Sequence, residues 1–456
     1  MMMMRNGFSR LASAILALLL ATAMPASAAP FEGYVDLRYR YEYQHHFNAK
    51  NYGEQPASGE SCDGFWLQRL RLGGSWQPHQ HLKLAVGLQD ARVFDSDLDE
   101  EGFFYSKKND HQNNAYRDEW ELYETFVEIR ELPTPAWSLR VGRQTLEYGD
   151  NRIFGPGSWG NSGRYQWDAV KLSYNRNAHF IDFIWGGYIL HEPTQLSLRH
   201  RHAGYGGGVY GHWQLNEKTV LEPFFLIKYD RHEDYGSEQG QPKGDLQAYN
   251  LGARLAALEG IWFYDATLVQ QWGDSGADRL RAWGAHLLVG RRFAHLPLQP
   301  ALSLEYSFAS GDADPADGES NAFLGVFGAR DRMYGRLNLL DWTNLHDAQC
   351  NLHLKPHKQV KLQIEGHRFW LDQERDGWSL NSSRYRDKTG NSGRHLGDEL
   401  DLILTWTLPP LRAVKKENIE LLFGYSRFWP GEFAEKQADN SAADWLFAQI
   451  SYKRKF

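Results

Sequence analysis

The run Gly33-Tyr34-Val35-Asp36-Leu37-Arg38-Tyr39-Arg40-Tyr41-Glu42-Tyr43-Gln44 alternates apolar or aromatic residues with charged or polar ones. Successive side chains on a strand point to opposite faces, so this segment has one apolar face and one charged face. A soluble antiparallel sheet with one wet face writes the same pattern, and a single strand does not decide between the two. The pattern recurs. Leu82, Leu84, Val86 and Leu88 alternate with Lys83, Ala85, Gly87 and Gln89, and Leu302, Leu304, Tyr306 and Phe308 with Ser303, Glu305 and Ser307. Leu400, Leu402, Leu404 and Trp406 alternate with Glu399, Asp401 and Thr405, and Ile419, Leu421, Phe423 and Tyr425 with Glu420 and small residues.

Counted along the chain, about eighteen such segments are expected: 33–46, 64–77, 81–94, 118–131, 136–148, 165–176, 178–190, 204–215, 219–230, 246–258, 261–272, 280–294, 299–310, 344–355, 359–372, 397–408, 417–428 and 444–456. The connections at 78–80, 131–135, 216–218, 259–260, 295–298 and 356–358 are short. The alternate ones at 48–63, 95–117, 149–164, 231–245, 311–343, 373–396 and 429–443 are long. Short turns on one side and long loops on the other are the habit of bacterial outer-membrane barrels, with the long loops extracellular and the short turns periplasmic. The fold expected is therefore all-β: a transmembrane antiparallel β-barrel of about 18 strands.

Composition agrees. The chain of 456 residues has 43 Gly, 2 Cys and 14% aromatics, with a mean hydropathy of -0.59. Beyond the first thirty residues no run reaches the roughly 20 apolar residues of a spanning helix. Two Cys make no disulfide framework. Cys62 falls in a long loop and Cys350 on a strand far along the chain, so the pair is expected to be unbonded. A net charge of -7 without a basic tract argues against nucleic acid as a partner. Residues 1–28 read as a signal peptide: Arg5 and Arg10, an apolar stretch from Leu11 to Ala23, then Ala26-Ser27-Ala28 as the cleavage motif. The alternative, a membrane anchor, would need a longer apolar run. Residues 29–456 are then a single barrel in the bacterial outer membrane, in contact with its lipid. Phe456 closes an alternating strand, as expected of a barrel-assembly signal, although Arg454 breaks the apolar face.

Val141-Gly142-Arg143-Gln144, Tyr148-Gly149-Asp150 and Trp167-Asp168-Ala169-Val170 resemble the first third of the alginate export family. Asn344-Leu345, His367-Arg368-Phe369-Trp370, Gly397-Asp398-Glu399-Leu400-Asp401, and Phe423 to Phe428 with Pro430-Gly431 resemble its later part, so the likeness runs from about Phe65 to Phe456. The resemblance implies an eighteen-stranded outer-membrane barrel that exports an anionic exopolysaccharide such as alginate, served by a separate periplasmic scaffold. It also implies pore-lining charge at Arg71 and Glu124, and it places Arg143 in a Gly-Arg-Gln motif.

If apolar residues face lipid, the opposite register faces the pore. The basic set so placed is Arg38, Arg40, Arg69, Arg71, Lys83, Arg140, Lys171, Lys228, Arg254 and Lys361. Arg143 joins it from the resemblance, although it shares parity with Val141. Arg and Lys rings suit anions, and Arg binds carboxylates through a planar fork. The acidic set is as large: Asp36, Glu42, Glu124, Glu128, Asp182, Glu222, Asp265, Glu305, Glu365, Glu399, Asp401 and Glu420. Salt bridges across the lumen account for many of these as well as function does. The imbalance is local, with four Arg on the first two strands and acids on the late ones. The loops 95–117 and 311–343 are expected to fold inward and constrict the pore. Asp312, Asp314 and Asp317 are candidate calcium ligands, although acidic loop tips are commonly just solvated. The Gly206-Gly207-Gly208 run reads as a place of curvature or close backbone packing. No nucleophile motif, phosphate loop or cofactor motif is present, so no enzyme activity and no cofactor are expected. Two functions stay open: export of an anionic polysaccharide, and a general diffusion or uptake porin for small polar solutes. A barrel with a closed, purely structural lumen is a third class.

Overall fold

A computed structural model describes residues 31–46, 62–96, 106–108, 111–113, 116–157, 159–162, 166–192, 201–236, 243–314, 316–329, 332–380, 383–410, 417–438 and 440–456. The expected signal segment lies outside these residues. Eighteen antiparallel strands form the wall: β1 (Phe31–His45), β2 (Asp63–His79), β3 (Leu82–Phe94), β4 in two segments (Asp118–Leu122 and Thr125–Arg130), β5 (Trp137–Thr145) and β6 (Gln166–Arg176). They continue with β7 (His179–Ile189), β8 (His202–Gln214), β9 (Val220–Tyr235), β10 (Gly244–Ala257), β11 (Trp262–Ser275) and β12 (Asp278–Arg292). The last six are β13 (Ala301–Ala309), β14 (Leu345–His357), β15 (Val360–Trp370), β16 (His395–Leu408), β17 (Glu417–Pro430) and β18 (Ala443–Lys455). A short helix, α1 (Glu432–Gln437), follows β17.

Each strand pairs with its sequence neighbour, and β1 also pairs with β18 from Tyr34↔Lys455 to His45↔Asp444. That seam closes the sheet and removes the unpaired edges an open sheet would present. Backbone bonds between Gly33 and Phe456, at 2.8 and 3.0 Å, finish it. The alternation works as the sequence implies. On β1, Arg38, Arg40, Glu42 and Gln44 are buried inside, whereas Tyr39 and Tyr43 are exposed outside. On later strands Leu251, Leu268, Leu287, Leu304, Leu402, Phe423 and Leu446 present the outer apolar band. Connections on the side of the two termini are short, down to 177–178 and 358–359. Those on the other side are long, apart from the tight turn at 276–277, where Gly276 takes a positive φ of 63°.

Two departures from the expected strands have physical causes. The segment 118–131 is not one strand. Between Leu88↔Leu122 and Ala85↔Phe126, three steps along β3 match four along β4, so β4 carries an extra residue as a bulge at Tyr123–Glu124. The second departure concerns the core. The buried hydrophobic cluster lies within the lumen, where Phe154, Phe323, Val326, Phe327, Tyr334, Leu337 and Trp342 from the long connections pack against inward wall residues such as Trp167, Tyr188 and Leu226.

Candidate functional site: the constricted lumen

Two long connections fill the middle of the barrel. The first, after β5, begins at Leu146 and crosses the lumen to β1. At its far end the Trp159 carbonyl accepts from Arg40 at 2.8 Å, and the Gly160 carbonyl and Asn161 Oδ1 accept from Arg38 at 2.8 and 3.2 Å. Trp159 lies over the Arg40 guanidinium, 3.8 Å from ring centroid to Cζ, and packs edge-on against Trp445 and Phe447. Asn161 Nδ2 donates to the carbonyls of Gln68, Arg92 and Tyr116. The second connection, between β13 and β14, meets the first in the centre. Phe154 and Phe327 form a parallel bridge, with Gly155 N donating to Phe327 O at 3.0 Å and Phe327 N to Ile153 O at 2.9 Å. Phe327 seats against β8 at Gly206, where a Cβ would come within 2.2 Å of the ring. Gly207 and Gly208 hold φ of 145° and 140°, which a side chain would strain. The glycine run therefore serves close packing, as expected from the sequence.

The constriction thus uses 311–343 as expected, and the 149–164 connection meets it there. Much of 95–117 lies outside the described residues, and its last turn contributes Tyr116, buried beside Phe65 and Leu67. The 149–164 segment goes inward because Ile153, Phe154 and Trp159 are large apolar side chains that water would not hold, and Arg38 and Arg40 wait on the far wall for its carbonyls.

The expected basic wall is accordingly divided. Arg38, Arg40 and Arg69 are buried. Arg40 pairs with Glu42 at 2.8 Å, and Arg69 lies 3.5 Å from Asp36. Arg38 and Arg40 hold the loop to the wall, and Arg69 pairs within the wall. Arg254 is likewise enclosed between Asp265 and Glu222, at 2.5 and 2.6 Å. Arg143 is a further correction. It shares the outward parity of Val141 and lies buried against the bulge of β4, bound to Glu121 at 2.7 Å and Asp168 at 2.8 Å. Its place is inside the wall, because the bulge opens a polar niche there. Lys228 Nζ reaches across the lumen to the Gly325 carbonyl at 2.7 Å.

Among the described residues, two cavities lie along the inner face of β4 to β7. Lys83, Glu128, Arg140 and Lys171 are directly paired across four neighbouring strands, in one row around the wall. Two adjoining cavities of about 290 and 340 Å³ share Glu147, Tyr148 and Lys171. Glu124 lines the first, and Glu128, Arg140 and Asp182 line the second. Arg140 holds Glu128 at 2.5 Å, Lys171 Nζ lies 3.3 Å from Asp182, and the Tyr148 hydroxyl donates to Asp182 at 2.6 Å. Arg71 stands nearby, bonded to Gln89 at 2.7 Å and lying over the Tyr123 ring. Lys361 is exposed near the short-turn end of β15.

The late strands form the acidic wall, and the inward loops bring its counter-charge. Arg152 spans Asp150 and Glu305 at 3.1 and 3.0 Å. Arg336 forks Glu365 at 2.7 and 2.8 Å, and Leu337 N donates to Glu399 Oε1 at 2.8 Å. Burial opposes the charge of Arg336, but Glu365, and beyond it Asp401 and Glu399, outweigh that and hold its pKa above the ordinary value. Asp401 is wholly buried beneath this loop. Arg152 and Arg336 were not foreseen. The available signal for Arg152 was a cation beside Ile153-Phe154 in a connection expected to be solvated; Arg336 gave none. The calcium expectation is not supported. Asp312 Oδ1 and Asp317 Oδ1 accept backbone N–H bonds from Asp314 and Glu319, and these acids do not gather their oxygens to a common point. Cys62 and Cys350 are both free.

Among solved structures, the chain is similar to the Pseudomonas aeruginosa outer-membrane protein OpdK, with 12% identity, 94% of this chain and 99% of that chain covered, and a TM-score of 0.58. It is similar in the same way to OpdK with vanillate, at 10% identity, 93% and 99% coverage and a TM-score of 0.57. P. aeruginosa OccK7 (OpdD) gives 11% identity, 93% and 98% coverage and a TM-score of 0.56. At such identities the likeness is one of fold. No curated protein matches the chain. The barrel is an outer-membrane pore, and the family model described as alginate export matches residues 33–448, nearly the whole wall from β1 to β18. The chain belongs to the alginate export family.

Proposed function

We propose that this pore carries an anionic, carboxylate-bearing saccharide outward, with uronate polymer of the alginate class as its cargo. The observation that carries the reading is the row of Lys83, Arg140 and Lys171 with one intervening acid, Glu128, on the inner face, where Glu128, Arg140 and Lys171 line a cavity. A carboxylate entering there exchanges water for fixed cations, and it can leave because each cation also keeps a partner on the wall. Arg140 has Glu128 and Lys171 has Asp182, so contacts with cargo are shared and weak. Family membership supports the polymer as cargo. Export would put a separate scaffold protein at the short-turn rim. The chain is a conduit in this reading, with no chemistry of its own.

A second reading, diffusion of small polar carboxylates, is favoured by the inward loops, beside which lie cavities of about 290 and 340 Å³, and by the vanillate named for one structural neighbour. Planar-bilayer recording separates the two. Polymer export expects anion selectivity and a block by oligouronates that deepens with chain length. Free passage of small carboxylates, with no block by longer oligouronates, would overturn it in favour of the second reading.

A further inference from the structure

We infer that the late wall of the barrel holds a divalent transition cation between β15 and β16, with Glu365, His367 and Asp401 as its ligands. One donor atom from each of the three lies within 4.8 Å of the other two. All three side chains are nine-tenths buried or more. Glu365 is held by Arg336, whereas His367 and Asp401 do not complete a hydrogen-bond network between them. His367 Nδ1 is bound to Asp347 at 3.0 Å, which turns Nε2 towards Asp401. Nε2 has no hydrogen-bond partner, and the nearest Asp401 oxygen is 3.6 Å away, too long for such a bond. Neither carboxylate oxygen of Asp401 has a hydrogen-bond partner, nor does Glu399 Oε2 or the neighbouring Ser426 Oγ. A buried carboxylate left in this way is costly unless a cation meets it.

An imidazole whose far nitrogen is held by a carboxylate is the usual support of a metal-bound histidine, because the second bond sets the tautomer and aims the lone pair. Ligands on a common ion at about 2.0–2.2 Å stand roughly 3–3.5 Å apart. The donor atoms, within 4.8 Å of one another, need contract by at most about 1.3–1.8 Å to reach that spacing. Charge argues the same way. Asp347, Glu365, Glu399 and Asp401 face Arg336, a histidine and, nearby on the same loop, Arg332; with the imidazole neutral a dication offsets the excess. One imidazole with two carboxylates suits Zn²⁺ or Mn²⁺, whereas Ca²⁺ and Mg²⁺ favour oxygen alone. Glu365 and Glu399 also hold Arg336 and the Leu337 amide of the inward loop. The ion therefore stands where wall and constriction meet, and it stiffens their join.

The test uses the full chain, folded in detergent, stripped with a chelator and dialysed against Zn²⁺. Elemental analysis should find about one ion per barrel, and H367Q and D401N should each lose it, with heat-modifiable gel mobility confirming that the variants fold. If they do not fold, Co²⁺ loaded into the unmodified protein decides. Visible d–d bands, with X-ray absorption showing one imidazole nitrogen among oxygen ligands, support the site. Zn²⁺ content unchanged in folded H367Q and D401N, or Co²⁺ that binds without an imidazole ligand, would overturn it.

Discussion

Asp401 and Leu402 are consecutive in sequence and occupy opposite worlds. Asp401 is wholly buried under the inward loop, and Leu402 is 37% exposed on the outer face. Leu402→Arg should destabilise the barrel by roughly 2–4 kcal/mol near the midplane. Urea unfolding in lipid vesicles measures this, and a variant as stable as the parent would take Leu402 off the lipid face. On the inner face, Arg152 has the highest stakes. Its guanidinium is 2% exposed and serves Asp150, Glu305 and Ser307 together. Arg152→Ala leaves two half-buried carboxylates without their cation, a loss of at most about 3–5 kcal/mol, the cost of breaking a fully buried pair. The expected outcome is a loosened loop, read as higher and noisier single-channel conductance, with the wall still assembled.

At the scale of elements, the crossing segment after β5 is held at its tip by Trp159. The ring packs on Arg40, Trp445 and Phe447, and large aromatic truncations of this kind cost roughly 3–5 kcal/mol. Trp159→Ala should therefore free the tip and widen the pore, whereas conductance equal to the parent would show that the Phe154–Phe327 bridge alone suffices. The outer ends of the long connections are tied by Asp372, whose Oδ2 accepts from Gly311 N at 2.9 Å and whose Oδ1 lies 3.2 Å from His346 Nε2. Burial acts to raise its pKa, but His346, the Gly311 amide and Gln373 outweigh that and hold it below the ordinary carboxylate value. A depressed carboxylate stabilises the fold fully above its unfolded pKa of about 3.9, and the contribution fades as pH falls through the lower folded value. Limited proteolysis of this join should be constant from neutral pH down to about pH 4 and rise below it. Asp372→Ala should show the raised susceptibility already at neutral pH. The strands themselves were readable because a period of two survives any tertiary context. The bulge at Tyr123–Glu124 was not, since a one-residue slip between β3 and β4 leaves both segments alternating.

For the whole molecule, the proposed path runs along the cavities lined by β4 to β7, and selectivity should follow its charges. Arg140→Glu together with Lys171→Glu should turn the pore towards cations and abolish block by oligouronates. Reversal potentials under a salt gradient read this directly. Fixed charge acts over about 8 Å in physiological salt, so two residues suffice only because the loops narrow the passage beside them. The matching reversal at Arg38 and Arg40 should damage loop seating instead, since both are enclosed by Trp159 to Asn161. Unchanged selectivity in the Arg140 and Lys171 pair would move the conduction path away from this wall.

The barrel and its eighteen strands follow from alternation together with the short and long connections, and the inward or outward facing of Arg38, Leu304, Asp401 and Leu402 from alternation, because a strand in a wall between lipid and a polar lumen must sort its residues by turns. Tertiary structure decided what the inward residues meet. Arg38 and Arg40 became loop anchors, Arg143 went into the wall, and the acids of β13 to β16 found Arg152 and Arg336 from segments more than twenty residues away in sequence. Those partners come from irregular connections, which carry no period to read. Their path is set by where Phe154, Trp159 and Phe327 can be buried once the wall has closed.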